Sequence, residues 1–282
     1  RLEVLVLKAS EFASLVSLLD DDSESVRTAV ARRLLDYEDE LPEFISKLDP
    51  LPSSDAFALM NQLMREAKCE TLVDHWEDIL TETDPLDRLE NAHGLISDYI
   101  DGSRLRTGRL TEALDALAKE FKQDAPTALA LVDSLFTEGR FSGNRLDYYA
   151  PYNSSLLAVI ERGEGNPISL ACLLMLVGKR LGFEISGCNY PGHFLSLIPR
   201  GECPILVDCF NAGRLVSPDD LVDSAIAETT TLSANLFKAA SVEVILLRVL
   251  RNLERAFHQA ENEQERGVFE HLIERMLVSG MV

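Results

Sequence analysis

The sequence predicts a predominantly helical α+β protein, and three observations carry that reading. From Glu11 to Ala130, apolar residues recur at the three-and-four spacing of amphipathic helices. The stretch Ile168 to Val177 is almost wholly apolar and follows Gly165-Asn166-Pro167, so it reads as a helix buried on nearly every face. Strand-like runs follow at roughly 184–189, 193–198 and 204–209, among clustered glycines and prolines.

In the front half, Phe12, Leu15, Val16, Leu18 and Leu19 make one apolar run, and Val26, Val30, Leu34 and Leu35 make the next. Between them DDDSES supplies a tight acidic turn, in which Asp22 or Ser23 can cap the second helix. This pair resembles one HEAT-type repeat over residues 10–48. Further helices are expected at 54–67, 70–82, 85–100, 108–123 and 126–138, and no β-rich segment precedes residue 140. His75 and His93 lack a second metal ligand one turn away, so both read as packed or solvated side chains. In the buried helix, Asn166 suits the cap, Pro167 the first helical position and Gly182 the end. Beyond Thr231 two amphipathic segments, Val242 to His258 and Glu263 to Val278, form a hairpin that resembles the tetratricopeptide type, with a frayed end at Ser279-Gly280-Met281-Val282. Val249, Leu250, Leu253 and Phe257 are expected to face inward.

Composition narrows the function. The 282 residues carry 47 acidic and 27 basic side chains, a formal net charge of −20, so nucleic acid and anionic membrane surfaces are excluded as expected partners. The acidity is uneven: residues 1–140 hold 30 acidic and 15 basic side chains, which marks the front as the more solvated part. Cys69, Cys172, Cys188, Cys203 and Cys209 are odd in number and lack CxxC spacing. They read as thiols in a reducing compartment rather than a disulfide framework or a zinc site. No apolar run approaches the roughly 18–20 residues of a membrane span, and no secretory signal opens the chain. The expectation is therefore a cytoplasmic protein, with the natural N-terminus left open because the first residue is not Met. No Gly-rich phosphate loop, dinucleotide fingerprint or metal cluster appears, so no cofactor is implied.

The order helix, strand, strand brings three chemical groups within reach of one another. Ser169 sits in the first turn of the buried helix, His193 begins a strand and Asp208 ends the next. Antiparallel neighbours would set His193 beside Asp208, and a helix N-terminus packed against them would complete a nucleophile, base and orienter.

Here the sequence resembles the transglutaminase-like core of the SirB family of bacterial proteins, which also occurs inside some eukaryotic F-box proteins. The residues that carry the resemblance are FSGN, DYYAPYNSSL, GNPISL, RLGF, PGHF and VDCFNAGRL, closely over residues 141–225 and more loosely forward to about residue 85. The resemblance implies a papain- or transglutaminase-like core, a buried helix packed on a small antiparallel sheet with flanking helical hairpins. It divides the chain into a HEAT-like region at 1–68, the core with its leading helices at 69–230 and the TPR-like hairpin at 231–282. In transglutaminases and their papain-like relatives the nucleophile is a Cys at the helix N-terminus. Carried over by position, His193 is the base and Asp208 the orienter, while the nucleophile position falls at or next to Ser169 and is not Cys. Cys172, one turn deeper on the same face, is the alternative nucleophile. Asn166, Tyr190, Gly192, Asn211 and Arg214 are expected to line or support the pocket, Tyr148, Tyr149, Tyr152 and Asn153 to cover the core, and Cys209 to be buried.

Because a serine hydroxyl without an effective base is a poor nucleophile, the expected function is a catalytically inactive, protein-binding or regulatory module that meets a protein partner through its helical regions. The alternative is an acyl transferase or amide hydrolase using Ser169 or Cys172 with His193 and Asp208; a third reading is a purely structural repeat protein. The sequence names no substrate and gives no oligomeric state.

Overall fold

The computed structural model describes residues 2–37, 40–101, 108–121, 126–190, 193–201, 204–216 and 238–278. Gly192, Cys203 and Ser279–Val282, each given a reading above, lie outside them. The fold is predominantly helical with small sheets. Its contacts divide the chain into two units, with the change between Asp78 and Ile79.

The first unit is built from helices α1 (Leu2–Ser17), α2 (Glu24–Leu35), α3 (Leu41–Ser46) and most of α4 (Ser54–Leu80). Its centre is a ring triad: Phe12, Tyr37 and Phe44 lie 5.4–5.5 Å apart between centroids, joined by Leu34, Met60 and Met64. Ser23 does cap α2 by position, but its hydroxyl turns to Ser25 rather than to the helix backbone. The two helices expected at 54–67 and 70–82 are one continuous helix. Nothing between Ala67 and Thr71 breaks it, because the whole of α4 contains neither Gly nor Pro.

The second unit contains α5 (Pro85–Ile100), α6 (Arg109–Glu120), α7 (Ala128–Val132, widening into a π turn over Asp133–Thr137), α8 (Leu156–Arg162), α9 (Pro167–Arg180), α10 (Val242–Gln259) and α11 (Glu263–Val278). Four short strands form one antiparallel sheet in the order β3 (Ser186–Cys188), β4 (Leu195–Ile198), β5 (Ile205–Asp208), β6 (Arg214–Val216). The fourth strand has no counterpart among the expected runs. Neither does a parallel pair of two-residue strands, β1 (Ser142–Gly143) and β2 (Glu164–Gly165).

Helix α9 is the axis of this unit. Pro167 through Gly178 are all buried, and α5, α6, α7, α8, α10, β3 and β4 all pack against it. Ten of those positions are large or small apolar side chains, so burial of the helix is driven by the hydrophobic effect at about 25 cal/mol per Å². Its end is pinned electrostatically: Arg180 makes two 2.8 Å hydrogen bonds to the Glu90 carboxylate on α5 and one of 2.6 Å to Asp115 on α6. On the sheet, Ser196 pairs with Val207, Leu197 with Leu206 and Ile198 with Ile205. The closing hairpin stacks Phe257 on Phe269 at 5.5 Å, and Val249, Leu250 and Leu253 are wholly buried.

Candidate functional site

At the start of α9 the backbone has four N–H groups without helical partners. Asn166 and Ser169 meet two of those needs in a reciprocal capping box. The Asn166 side-chain oxygen accepts from the Ser169 N–H at 2.9 Å, while the Ser169 hydroxyl accepts from the Asn166 N–H at 3.1 Å and donates to the Asn166 carbonyl at 3.0 Å. The Asn166 amide also donates to the Ser154 hydroxyl at 2.9 Å. Ser169 has no solvent exposure. Gly165 matters here, because a Cβ at that position would stand 2.8 Å from the Ser169 Oγ.

The thiols near this helix are held protonated. Cys172 has no exposure, and burial, with Cys209 nearby, pushes its pKa far up. Cys209 is pushed up to about 12, chiefly by burial, against the opposing pull of the Ser196 hydroxyl 3.4 Å from its sulfur. A thiolate is the reactive form of cysteine, and neither environment favours it.

The end of the two central strands is different. His193 precedes β4, its backbone N–H donating to the Tyr190 carbonyl at 3.0 Å. Its Nε2 lies 2.9 Å from Oδ2 of Asp208, the last residue of β5, and the imidazole keeps 27% side-chain exposure against 8% for the carboxylate. Asp208 also accepts from the Asn211 side-chain amide at 2.6 Å and from the Asn211 N–H at 3.1 Å. Burial works to raise the Asp208 pKa, but the bonds from His193 and Asn211 outweigh it and hold the carboxyl below the usual carboxylate range. The imidazole is thus oriented by an anion, an arrangement able to accept or donate a proton at the partly open face.

Of the other expected pocket residues, Tyr190 is buried with Cys188, Leu195, Leu197 and Leu206. Arg214 pairs with Asp208 in the strand register but is exposed. The structure brings His193, Asp208 and Asn211 together; every hydrogen bond of the Ser169 hydroxyl goes to Asn166. Among the described residues no three metal-ligating side chains converge.

Sequence reasoning missed the wall beside this pair. Arg145 donates to the Asn211 side-chain oxygen and lies over the Phe210 ring at 5.2 Å. Phe210 in turn meets Tyr148 edge-on at 5.8 Å. Gly143 is required beneath that ring, since a Cβ there would fall 2.4 Å from it. Arg145 and Asn211 are 66 positions apart and no local pattern links them; the one visible signal is the glycine in FSGN.

Comparison with known proteins gives the following. Residues 108–251 match a family described as the transglutaminase-like superfamily. A UPF0162 protein of Xylella fastidiosa is 38% identical over 135 residues, covering 45% of this chain and 48% of the relative. A UPF0162 protein of Vibrio cholerae is 38% identical over 113 residues, covering 40% and 41%. F-box only protein 21 of Mus musculus is 30% identical over 127 residues, covering 42% and 20%. The chain thus spans less than half the length of each of these relatives. No solved structure matches it.

Proposed function

The chain belongs to the transglutaminase-like superfamily, and from that premise we propose that it is a catalytically inactive, SirB-type member that works as a protein-binding or regulatory module. In this reading HEAT-like hairpins precede the core at 1–68 and a TPR-like hairpin follows it at 231–282. The observation that carries the proposal is the capping box. The hydroxyl at the nucleophile position holds the Asn166 N–H and carbonyl, without exposure, so its proton and lone pair are engaged in the helix start. The neighbouring thiols offer no substitute, because burial disfavours their ionised form. The curated relatives include an F-box only protein in which the matched segment is 20% of the length, which supports a module carried within larger proteins.

A second reading rests on the His193–Asp208 contact. An imidazole aligned by a carboxylate is the base half of an acyl-transfer site, with Ser169 or Cys172 as its nucleophile. The two readings separate on labelling of the intact protein with a fluorophosphonate and with iodoacetamide. The inactive module leaves Ser169 and Cys172 unlabelled. Stoichiometric labelling of either residue that disappears in His193→Ala would overturn it.

A further inference from the structure

On a chain of net charge −20, basic side chains find carboxylates easily: Arg33, Arg88, Arg140, Arg180 and Arg266 each do. Arg145, Arg248 and Arg255 engage none among the described residues. Each lies instead over an aromatic ring: Arg145 over Phe210, Arg248 over Phe194 at 5.5 Å and Arg255 over Tyr149 at 4.9 Å. Contacts link Arg145 and Arg255 into one strip, and Arg248 lies two turns before Arg255 on the same helix. Tyr149 meets Tyr148 edge-on at 5.0 Å, Tyr148 meets Phe210, and Arg145 continues through Asn211 to the His193–Asp208 pair. Both tyrosines are exposed, and Leu146 in the same loop is fully exposed.

This loop is held rather than loose. Asn144 accepts from the Asp147 N–H at 3.0 Å, and Asn153 donates to the carbonyls of Asp147 at 2.7 Å and Tyr148 at 3.0 Å. An exposed apolar and aromatic display on fixed backbone lowers the ordering cost of binding. Rigid Tyr with Arg is the side-chain chemistry enriched where protein interfaces concentrate their energy.

We infer that the strip formed by Arg145, Leu146, Tyr148, Tyr149, Arg248 and Arg255 is a docking surface for an acidic peptide segment of a partner protein. The commitment to that occupant rests on charge complementarity: exposed Arg145 and Arg255 and half-buried Arg248, which donates to the Asn189 side-chain oxygen, meet no carboxylate among the described residues, on an acidic chain that would repel a polyphosphate at long range. Arg248 and Arg255 are seven residues apart on α10, about 10 Å at 1.5 Å per residue. An extended peptide rises about 3.3 Å per residue, so carboxylates about three residues apart match the two guanidinium groups. An apolar or aromatic side chain between them meets Tyr148, Tyr149 and Leu146.

The inference rests on the protein-binding reading above but can fail separately from it. A short random-peptide phage library is selected against the purified chain, and the strongest binder is labelled with fluorescein for anisotropy titration. The expected peptide carries Asp or Glu about three positions apart around an apolar or aromatic residue. Its affinity falls about tenfold in Arg255→Glu and in Arg145→Glu, and weakens as salt is raised. Leu146→Asp, at a position that touches nothing in the fold, weakens it as well, which removes misfolding as an explanation. Binders without acidic residues, the absence of any binder, or binding indifferent to all three substitutions would overturn the docking surface. Binding abolished only by charge reversal on α1 or α2 would overturn it too, yet leave the protein-binding reading standing. Stronger, equally arginine-dependent binding of single-stranded DNA would replace the peptide with a nucleic acid and sink the inference.

Discussion

Two polar constellations sit in the same unit, at the start of α9 and at the end of the sheet's central strands, and they differ in what remains available. At the helix start, Asn166, Ser169 and Ser154 form a closed set in which each buried polar group answers another. At the strand ends, Asp208 is equally satisfied, but His193 beside it remains partly open. The contrast teaches that hydrogen bonding alone does not mark a working site. What distinguishes one is a satisfied inner partner combined with an outer group that still faces solvent. His93 on α5 is a second sealed case, with no exposure and no hydrogen-bond partner of good geometry on either ring nitrogen, although the Ser154 backbone pulls weakly against the effect of burial.

The largest expected effect tests the sealed interior. Burial pushes His93 down to about 4 from an ordinary 6.5. Its contribution to stability is therefore complete above pH 6.5 and is lost as the pH falls toward 4, about 3 kcal/mol in all. Asp98 acts with the opposite sign in the same window. Burial is the first cause that raises its carboxyl to about 7, so the fold retains a proton that the unfolded chain has released. Urea unfolding of Asp98→Asn between pH 7 and 4 should expose the whole His93 loss, and a flat profile would show that His93 is not sealed. Next comes Asn166→Ala, which orphans the Ser169 N–H and the Ser154 hydroxyl partner together and should cost about 2 kcal/mol by urea midpoint. A loss under about half that would erase the distinction between the two constellations.

Smaller changes belong to the His193–Asp208 pair. Asp208→Asn should remove about 1–2 kcal/mol at neutral pH, since the hydrogen bonds from His193 and Asn211 lose their anion. The depressed Asp208 pKa fixes the sign: its contribution is present above the usual carboxylate range and disappears on acidification below it. The difference between Asp208→Asn and the unaltered protein should therefore shrink at low pH in thermal unfolding. The smallest effect is expected for His193→Ala, under about 1 kcal/mol, because Asp208 keeps both bonds from Asn211. A larger loss would make the histidine a structural keystone instead of an outward-facing group.

Much of this fold could be read in the sequence because its signals are local. The apolar run Ile168–Val177 and the cap at Asn166 need only neighbouring residues, and the structure begins α9 at Pro167. Phe57, Met60 and Met64 gave no sign that α4 continues past Ala67, since helix continuation is marked only by the lack of Gly and Pro. Strands β1, β2 and β6 are two or three residues long, too short for alternation to register. In the site, helix–strand–strand order drew attention to Ser169, His193 and Asp208. The bonds that decide what Ser169 is doing lie three residues away and could have been weighed from Asn166 alone. Arg145, Arg248 and Arg255 could not, because their partners come from distant segments and ring faces leave no periodic trace.

The reciprocal bonds of Asn166 and Ser169 also bear on any attempt to give this protein a nucleophile. A thiol placed at 169 is a weak acceptor and a weak donor; once ionised it could still accept from the Asn166 N–H, but it could no longer donate to the Asn166 carbonyl. The beginning of α9 would then rest on Asn166, whose side chain accepts from the N–H of residue 169 and whose carbonyl accepts from the Leu170 N–H.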